Sequence, residues 1–346
     1  MELNFNSDNE APVAPAIFAA LVQANQGTAG SYAEDQWSAR LDAAFSDLFE
    51  TRTAVVPLTT GTAANSIALA CVTPPWGAVY CHQGAHIVRD EGGAPEFFGN
   101  GLRLMPVPGA DGKLIPAELL EAIRINAGHG VHSYQATTLS LTQSTEAGTV
   151  YLPGEIAALC DVAAGSDMVR HMDGARFANA VATLGCSPAA ASWQAGVQML
   201  SFGAGKNGCM GAEALLIFGD SASRDRAERL RKRSGHLLSK MRFVSAQLLA
   251  YIEDGLWLEL ARHANRQAAR FAATVRVHPQ ASLEFTVEAN EVFVRWSASG
   301  FAALREFGIQ FLNWPGQDDL ARFVFSHHCS EAETTKLCQD LERLST

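Results

Sequence analysis

Residues 171–208 read HMDGARFANAVATLGCSPAAASWQAGVQMLSFGAGKNG, and the fold is decided inside them. An apolar run beginning at Met168 ends in Asp173 and Gly174, as a buried parallel strand does when it delivers polar side chains to a site. A second run, VQMLSF, empties into a glycine turn that carries one lysine, Lys206. Between them, FANAVATLG can be helical and is predicted to stop at Gly185. An aspartate and a lysine are thus expected at the carboxyl ends of two strands joined by a helical crossover. Open α/β sheets keep their ligands in the crevice outside those ends.

That pair has a chemical reading. A lysine among glycines can approach a cofactor aldehyde closely and condense with it as a Schiff base. An aspartate one crossover away can keep a pyridine nitrogen protonated, which turns the ring into an electron sink. Taken singly, a loop lysine is usually solvated and a strand-end aspartate is usually a cap. In this order and context the two together indicate pyridoxal phosphate. Upstream, TAVVPLTTGTAANSIALACV runs from an apolar strand into Thr59-Thr60-Gly61-Thr62 and then an amphipathic helix from about Ala63. A helix N-terminus after a glycine turn offers free N–H groups and a positive dipole end to an anion. This resembles the phosphate cup of such enzymes, with Gly61 and Thr62 as main contacts and Asn65 one turn in.

HMDGAR followed by SFGAGKNG resembles the aspartate and lysine motifs of the low-specificity L-threonine aldolases, fold-type-I pyridoxal-phosphate enzymes of the β-eliminating lyase group. Further matches run from FNSDN near the N-terminus to ARFVFSHH near the C-terminus, so the resemblance covers nearly the whole chain. It implies an α/β fold: a fold-type-I transferase-like large domain with a mostly parallel seven-stranded sheet over residues 1–255, and a small C-terminal α+β domain over 256–346. It also implies cleavage of L-threonine, L-allo-threonine and related β-hydroxy-α-amino acids to glycine and an aldehyde. Phenylserine cleavage or another β-elimination is the neighbouring alternative.

The resemblance assigns roles residue by residue. Lys206 holds the cofactor and Asp173 faces its ring nitrogen. His86, in AHIVRDEGGAPEFF, stacks on the ring close to the substrate hydroxyl, with Glu91 in the same segment. His132, in GHGVHSYQ, approaches that hydroxyl from another side, and the choice of general base between the two stays open. Ser7, Arg176 and Arg322 surround the substrate carboxylate, Arg176 also lying beside the cofactor; a planar guanidinium can grip a carboxylate through two bonds. Tyr32 matches the first residue of the family's Tyr-Gly-Asp-Asp, although Ala33 and Glu34 depart from it. TQSTEAGTVYLP resembles the family's Thr-Gln-Ala-Thr-Glu form and puts Gln143 and Thr145 along the site. The basic stretch near the middle of the chain offers Lys240, or Arg242, to the phosphate of a neighbouring subunit. The family's assembly implies a homotetramer, a dimer of dimers with shared active sites.

Composition narrows the alternatives. At 346 residues the chain can bury a large core and divide into two domains. A formal net charge of −10 argues against a nucleic-acid surface. No apolar run approaches the ~18 residues that a membrane span needs. The acidic, polar opening MELNFNSDNE does not read as a secretory leader. Seven scattered cysteines without CxxC spacing read as reduced, mostly buried thiols of a cytoplasmic protein. A metal-dependent hydrolase built on His171, Asp173 and His327-His328-Cys329 is a remote alternative. Consecutive strand residues point to opposite faces, so no metal site is expected there.

Overall fold

A computed structural model describes residues 3–219 and 222–344. The chain enters through a two-residue strand, β1 (Leu3–Asn4). Seven further strands form the main sheet: β2 (Thr53–Leu58), β3 (Gly77–His82), β4 (Arg103–Val107), β5 (Gln135–Thr142), β6 (Val169–Gly174), β7 (Met199–Gly203) and β8 (Glu213–Phe218). Their spatial order is β2-β8-β7-β6-β5-β3-β4, and β8 alone runs against its neighbours. Helices cover both faces, so β2, β3, β7 and β8 are buried almost throughout, and continuous apolar strands result. The two prolines of this sheet, Pro57 and Pro106, stand in β2 and β4, the edge strands, where a missing N–H breaks no inner ladder.

The crossover from β6 to β7 forms as its sequence suggests. A helix spans Phe177–Leu184, and Gly185 ends it in a left-handed conformation (φ 64°), its N–H bonding the Val181 carbonyl. Asp173 pairs in register with Thr142 of β5 and Ser201 of β7, so three strand ends converge. They converge closely because of two glycines. A Cβ on Gly203 would lie 2.4 Å from the Ala175 carbonyl oxygen, and one on Gly174 would lie 2.8 Å from that of Ser201. Any larger residue would push the aspartate loop and the lysine turn apart.

The large core includes an aromatic cluster, in which the Phe177 ring stacks on Trp257 at 6.4 Å and Phe202 meets Phe45 edge-on at 5.4 Å. A second core forms around β9 (Ser282–Leu283), β10 (Glu291–Arg295), β11 (Ile309–Gln310), β12 (Leu312–Asn313) and β13 (Leu320–Val324). Four of these strands make an antiparallel sheet, β12-β13-β10-β9, while β11 pairs in parallel with β1. The 22-residue helix Leu256–Val277 belongs to both cores: Trp257 and Ala261 pack in the first, Phe271 and Val275 in the second. Leu3 and Phe5, at the opposite end of the chain, are buried in that second core. The C-terminal helix Glu331–Arg343 starts with a capping box, Ser330 accepting from the Glu333 N–H and the Glu333 carboxylate accepting from Ser330. No helix among the described residues is long and apolar enough to cross a membrane.

Candidate active site

Two connected hollows lie at the carboxyl ends of β5, β6 and β7. The inner one, about 370 Å³, lies against the helix Gly61–Val72 and is lined by Gly61, Thr62, Asn65, His86, Asp173 and Lys206, among others. The outer one, about 520 Å³, is lined by Ser7, His86, Glu146, Arg176, Lys206 and Arg322, with Trp314 beside them. Asn9, His86 and Lys206 border both. The inner lobe is therefore suited to a cofactor and the outer to whatever reacts with it.

The helix Gly61–Val72 is capped by Thr60, whose hydroxyl accepts from the Ala63 N–H at 3.2 Å. That leaves the N–H groups of Gly61 and Thr62 without intrahelical partners and facing the lobe. Lys206 is the only lysine or arginine among the residues lining the inner lobe. Its turn is fastened from below by Glu213, whose carboxylate accepts from the backbone N–H groups of Ala204 (3.0 Å) and Gly205 (3.2 Å). Burial pushes the Glu213 carboxyl up to about 7, with these donors and Lys206 working against it. The Lys206 amine itself makes no hydrogen bond among the described residues and projects into both lobes.

Across from it stands a buried polar row. Asn65 Nδ2 donates to Asp173 Oδ2 and to Glu91 Oε1, each at 2.8 Å, and Glu91 Oε1 lies 2.9 Å from His86 Nδ1. Asp173 Oδ1 accepts from the Ala175 N–H at 3.0 Å, which fixes the carboxylate at the strand end. The hydrogen bond to Glu91 raises the His86 pKa against its desolvation, while burial, helped by the Asp173 charge, raises that of Glu91. Asn65 Oδ1 and Glu91 Oε2 are buried with no partner, a sign that this wall is built to meet another polar group.

In the outer lobe Arg176 is already engaged. It bonds Asp8 through Nε (2.8 Å) and Nη2 (3.0 Å), and its Nη1 lies 3.2 Å from Glu291 Oε2. Burial alone would raise the Asp8 carboxyl, yet Arg176 holds it below the usual carboxylate range. Arg322, on β13, touches Glu291 through Nη1 at 3.3 Å and keeps a buried, unpartnered Nε. Ser7 caps the short turn Asp8–Glu10, accepting from the Asn9 N–H at 3.2 Å.

Of the residues singled out from sequence, Gly61, Thr62, Asn65, His86, Asp173, Lys206, Ser7, Arg176 and Arg322 border these lobes. Four others do not. His132 is exposed on the turn preceding β5, at the amino end of that strand, while the lobes open beyond its carboxyl end, roughly 25 Å away for eight strand residues. Gln143 is wholly buried, and its amide is used up by the Tyr151 backbone, donating to the carbonyl at 2.9 Å and accepting from the N–H at 3.0 Å. Tyr32 is exposed, with the Lys232 ammonium over its ring at 4.8 Å, and Lys240 is exposed nearby, next to Ser239, whose carbonyl receives the Tyr32 N–H. Thr145 turns inward to Thr149 at 2.7 Å. Arg242 donates to the Gly27 carbonyl at 3.1 Å. His171, the proposed metal ligand of the hydrolase reading, has both ring nitrogens taken, by Ser140 at 2.9 Å and Ser201 at 3.0 Å.

Sequence reasoning missed Asp8, Glu213 and Glu291. Asp8 lies within the quoted FNSDN and could have been suspected as the arginine's partner. Glu213 and Glu291 start strands and carry no local signal.

Comparison with known proteins follows the same line. The sequence model of the beta-eliminating lyase family matches residues 4–299. A relative from Pseudomonas aeruginosa, named low specificity L-threonine aldolase, is 42% identical over 97% of this chain and 96% of its own length. A protein of the same name from a Pseudomonas species is 41% identical over the same shares. Among solved structures, the threonine aldolase of Leishmania major superposes with a TM-score of 0.93 at 26% identity, covering 99% of this chain and all (100%) of that one. An aspartate aminotransferase from Rhodobacter sphaeroides shares the fold, with a TM-score of 0.69 at 19% identity over 99% of this chain and 94% of its own. With the family model matching most of its length, and an aspartate and a lysine facing each other across its cavity, the chain belongs to the beta-eliminating lyase family.

Proposed function

We propose that this chain is a pyridoxal-phosphate-dependent aldolase that cleaves L-threonine, L-allo-threonine and related β-hydroxy-α-amino acids to glycine and an aldehyde. The observation that carries this reading is the position of Lys206, whose amine reaches an inner lobe with an acidic wall and an outer lobe with an open arginine.

The residues present fit the cofactor. The free N–H groups of Gly61 and Thr62 suit its phosphate, Lys206 suits its aldehyde, and the fixed Asp173 carboxylate suits a protonated pyridine nitrogen. The unpartnered Asn65 Oδ1 and Glu91 Oε2 leave polar capacity on the same wall. When bound, pyridoxal phosphate supplies a sink for the electron pair left on Cα as the Cα–Cβ bond breaks. The protein's part is placement. Arg322 binds the substrate carboxylate with Ser7 alongside, and Arg176 braces that wall through Asp8 and Glu291. Holding the carboxylate at one end and the amine near Lys206 at the other fixes which bond at Cα stands across the ring, and so which bond breaks.

The same reading extends to assembly and place. The inner lobe has a helix N-terminus for a phosphate but no cation of its own besides Lys206, while Tyr32 and Lys240 stand together at the surface; this supports a homotetramer, a dimer of dimers, in which Lys240 of one subunit completes the phosphate site of another. All seven cysteines are free, which supports a cytoplasmic protein. The test is to purify the protein with pyridoxal phosphate, record its visible absorbance, and measure glycine and aldehyde released from threonine and allo-threonine. A protein that stays colourless, or that consumes threonine without yielding both products, would sink the reading. Light scattering on Lys240→Ala beside wild type separates a lost phosphate contact from a lost assembly.

A further inference from the structure

A retro-aldol cleavage needs a group to accept the β-hydroxyl proton, and the outer lobe contains one with no other employment. Glu146 follows β5, in the loop that delivers residues beyond the strand's carboxyl end. The backbone around it is pinned: the Thr145 N–H bonds the Thr149 carbonyl at 2.9 Å, and the Gly148 N–H bonds that of Thr145 at 3.0 Å. Its partly buried carboxylate lines the outer lobe with His86, Lys206, Arg176 and Arg322.

Asp90, which also lines this lobe, is exposed to solvent, and the remaining acids nearby are committed. Asp8 and Glu291 hold the arginines, and Glu91 is bonded to Asn65 and faces His86. Glu146 makes no hydrogen bond among the described residues. Burial raises its pKa, opposed mainly by Lys206, so its basicity exceeds that of an ordinary carboxylate. The two histidines compare poorly: His132 lies outside the cavity, and His86 is fastened by Nδ1 to the cofactor-side wall.

We propose that Glu146 is the catalytic residue that exchanges a proton with the β-hydroxyl, an assignment that rests on the aldolase reading above. In the cleavage direction the O–H bond breaks, its proton passes to Glu146, and the oxygen electron pair forms the carbonyl of the departing aldehyde. The Cα–Cβ pair stays with Cα, which gains a proton to become glycine. Glu146 returns to its carboxylate form by releasing that proton to water, the source of the proton that Cα takes up, so the net change moves one proton from oxygen to carbon.

The test compares wild type, Glu146→Gln and Glu146→Asp as holoenzymes. Three readouts are taken: glycine affinity from the cofactor absorbance, exchange of the glycine α-hydrogen in deuterated water, and threonine cleavage. Glycine lacks the hydroxyl, so Glu146→Gln is expected to keep affinity and exchange within about threefold of wild type while kcat for threonine falls about a hundredfold or more. Glu146→Asp, which retains a displaced carboxylate, is expected to fall between the two. Threonine cleavage by Glu146→Gln within about threefold of wild type would overturn the proposal. So would a parallel loss of glycine affinity, exchange and cleavage in both variants, which marks a residue that merely shapes the site. Wild type that exchanges glycine but releases no aldehyde from threonine instead overturns the aldolase reading, and this assignment with it.

Discussion

Arg176 and Asp8 form a two-point ion pair across 168 residues of sequence, Nε to Oδ2 at 2.8 Å and Nη2 to Oδ1 at 3.0 Å. The pair divides labour between the two arginines of the outer lobe. Arg176 is spent on structure, whereas Arg322 keeps an unpartnered Nε and a long 3.3 Å contact to Glu291. Arg322→Lys is therefore expected to raise KM for threonine about tenfold or more with a smaller change in kcat, because an ammonium cannot hold a carboxylate through two bonds. Arg176→Met is expected to cost about 3–5 kcal/mol in urea unfolding, since it strands two buried carboxylates. Equal effects of the two substitutions on KM and on stability would refute this division.

His86 and Glu91 offer a titration that needs no turnover. The hydrogen bond to Glu91 raises the His86 pKa, so removing that acceptor's charge should lower it. In Glu91→Gln, NMR of the cofactor-free protein is expected to show the His86 ring deprotonating at a lower pH than in wild type. An unchanged or higher midpoint would mean that Glu91 does not govern this imidazole.

His171, wholly buried between two serines, is held neutral by burial with its pKa down at about 4. In the unfolded chain it binds a proton below about 6.5. Between those values the unfolded state carries the extra proton, so stability rises with pH across this window and is lost as pH falls. The contribution amounts to about 1.4 kcal/mol per pH unit at most. His171→Gln is expected to flatten the pH dependence of urea-unfolding free energy between pH about 4 and 6.5 by up to that slope. Parallel wild-type and variant curves would count against it.

The Lys206 amine makes no hydrogen bond among the described residues, so removing it should leave the fold intact. Lys206→Ala is expected to unfold at the wild-type temperature in the cofactor-free state. It should release pyridoxal phosphate on dialysis, where wild type retains it, and show no detectable threonine cleavage. Cofactor retained through dialysis by the variant would remove Lys206 from its assigned place.

How much of this was legible follows from what each residue needs. Asp173 and Lys206 stand out because a polar residue that ends an apolar strand is visible in one dimension, and Gly185 stops its helix by local chemistry alone. Gly61 and Thr62 are legible for the same reason. Glu213 and Glu291 are not, since only the folded chain brings them to Gly205 in the lysine turn, to Arg176 at a helix start and to Arg322 on β13, and nothing beside them in sequence marks a buried acid. Gln143 was misplaced because a polar residue just past a strand end can face either the cavity or the chain's own backbone, and here Tyr151 captures it. His132 was misplaced because its motif says nothing of which end of β5 it flanks. The antiparallel entry of β8 depends on the length of the turn around Lys206, and hydrophobic pattern does not encode direction.

The pairing of β1 with β11 joins Leu3 to Ile309 and Asn4 to Gln310, which sets an order of events on the ribosome. β1 has no partner until about three hundred further residues have emerged. By then the helix carrying Gly61, the strand carrying Asp173 and the turn carrying Lys206 have long been synthesised. A nascent chain thus holds the makings of a cofactor cradle well before it holds the means to grip an amino acid, because Ser7 and Asp8 settle only when β11 arrives and Arg322 follows on β13. A chain that ended before that point would hold the residues of the cradle and lack both Arg322 and the strand that seats Ser7 and Asp8.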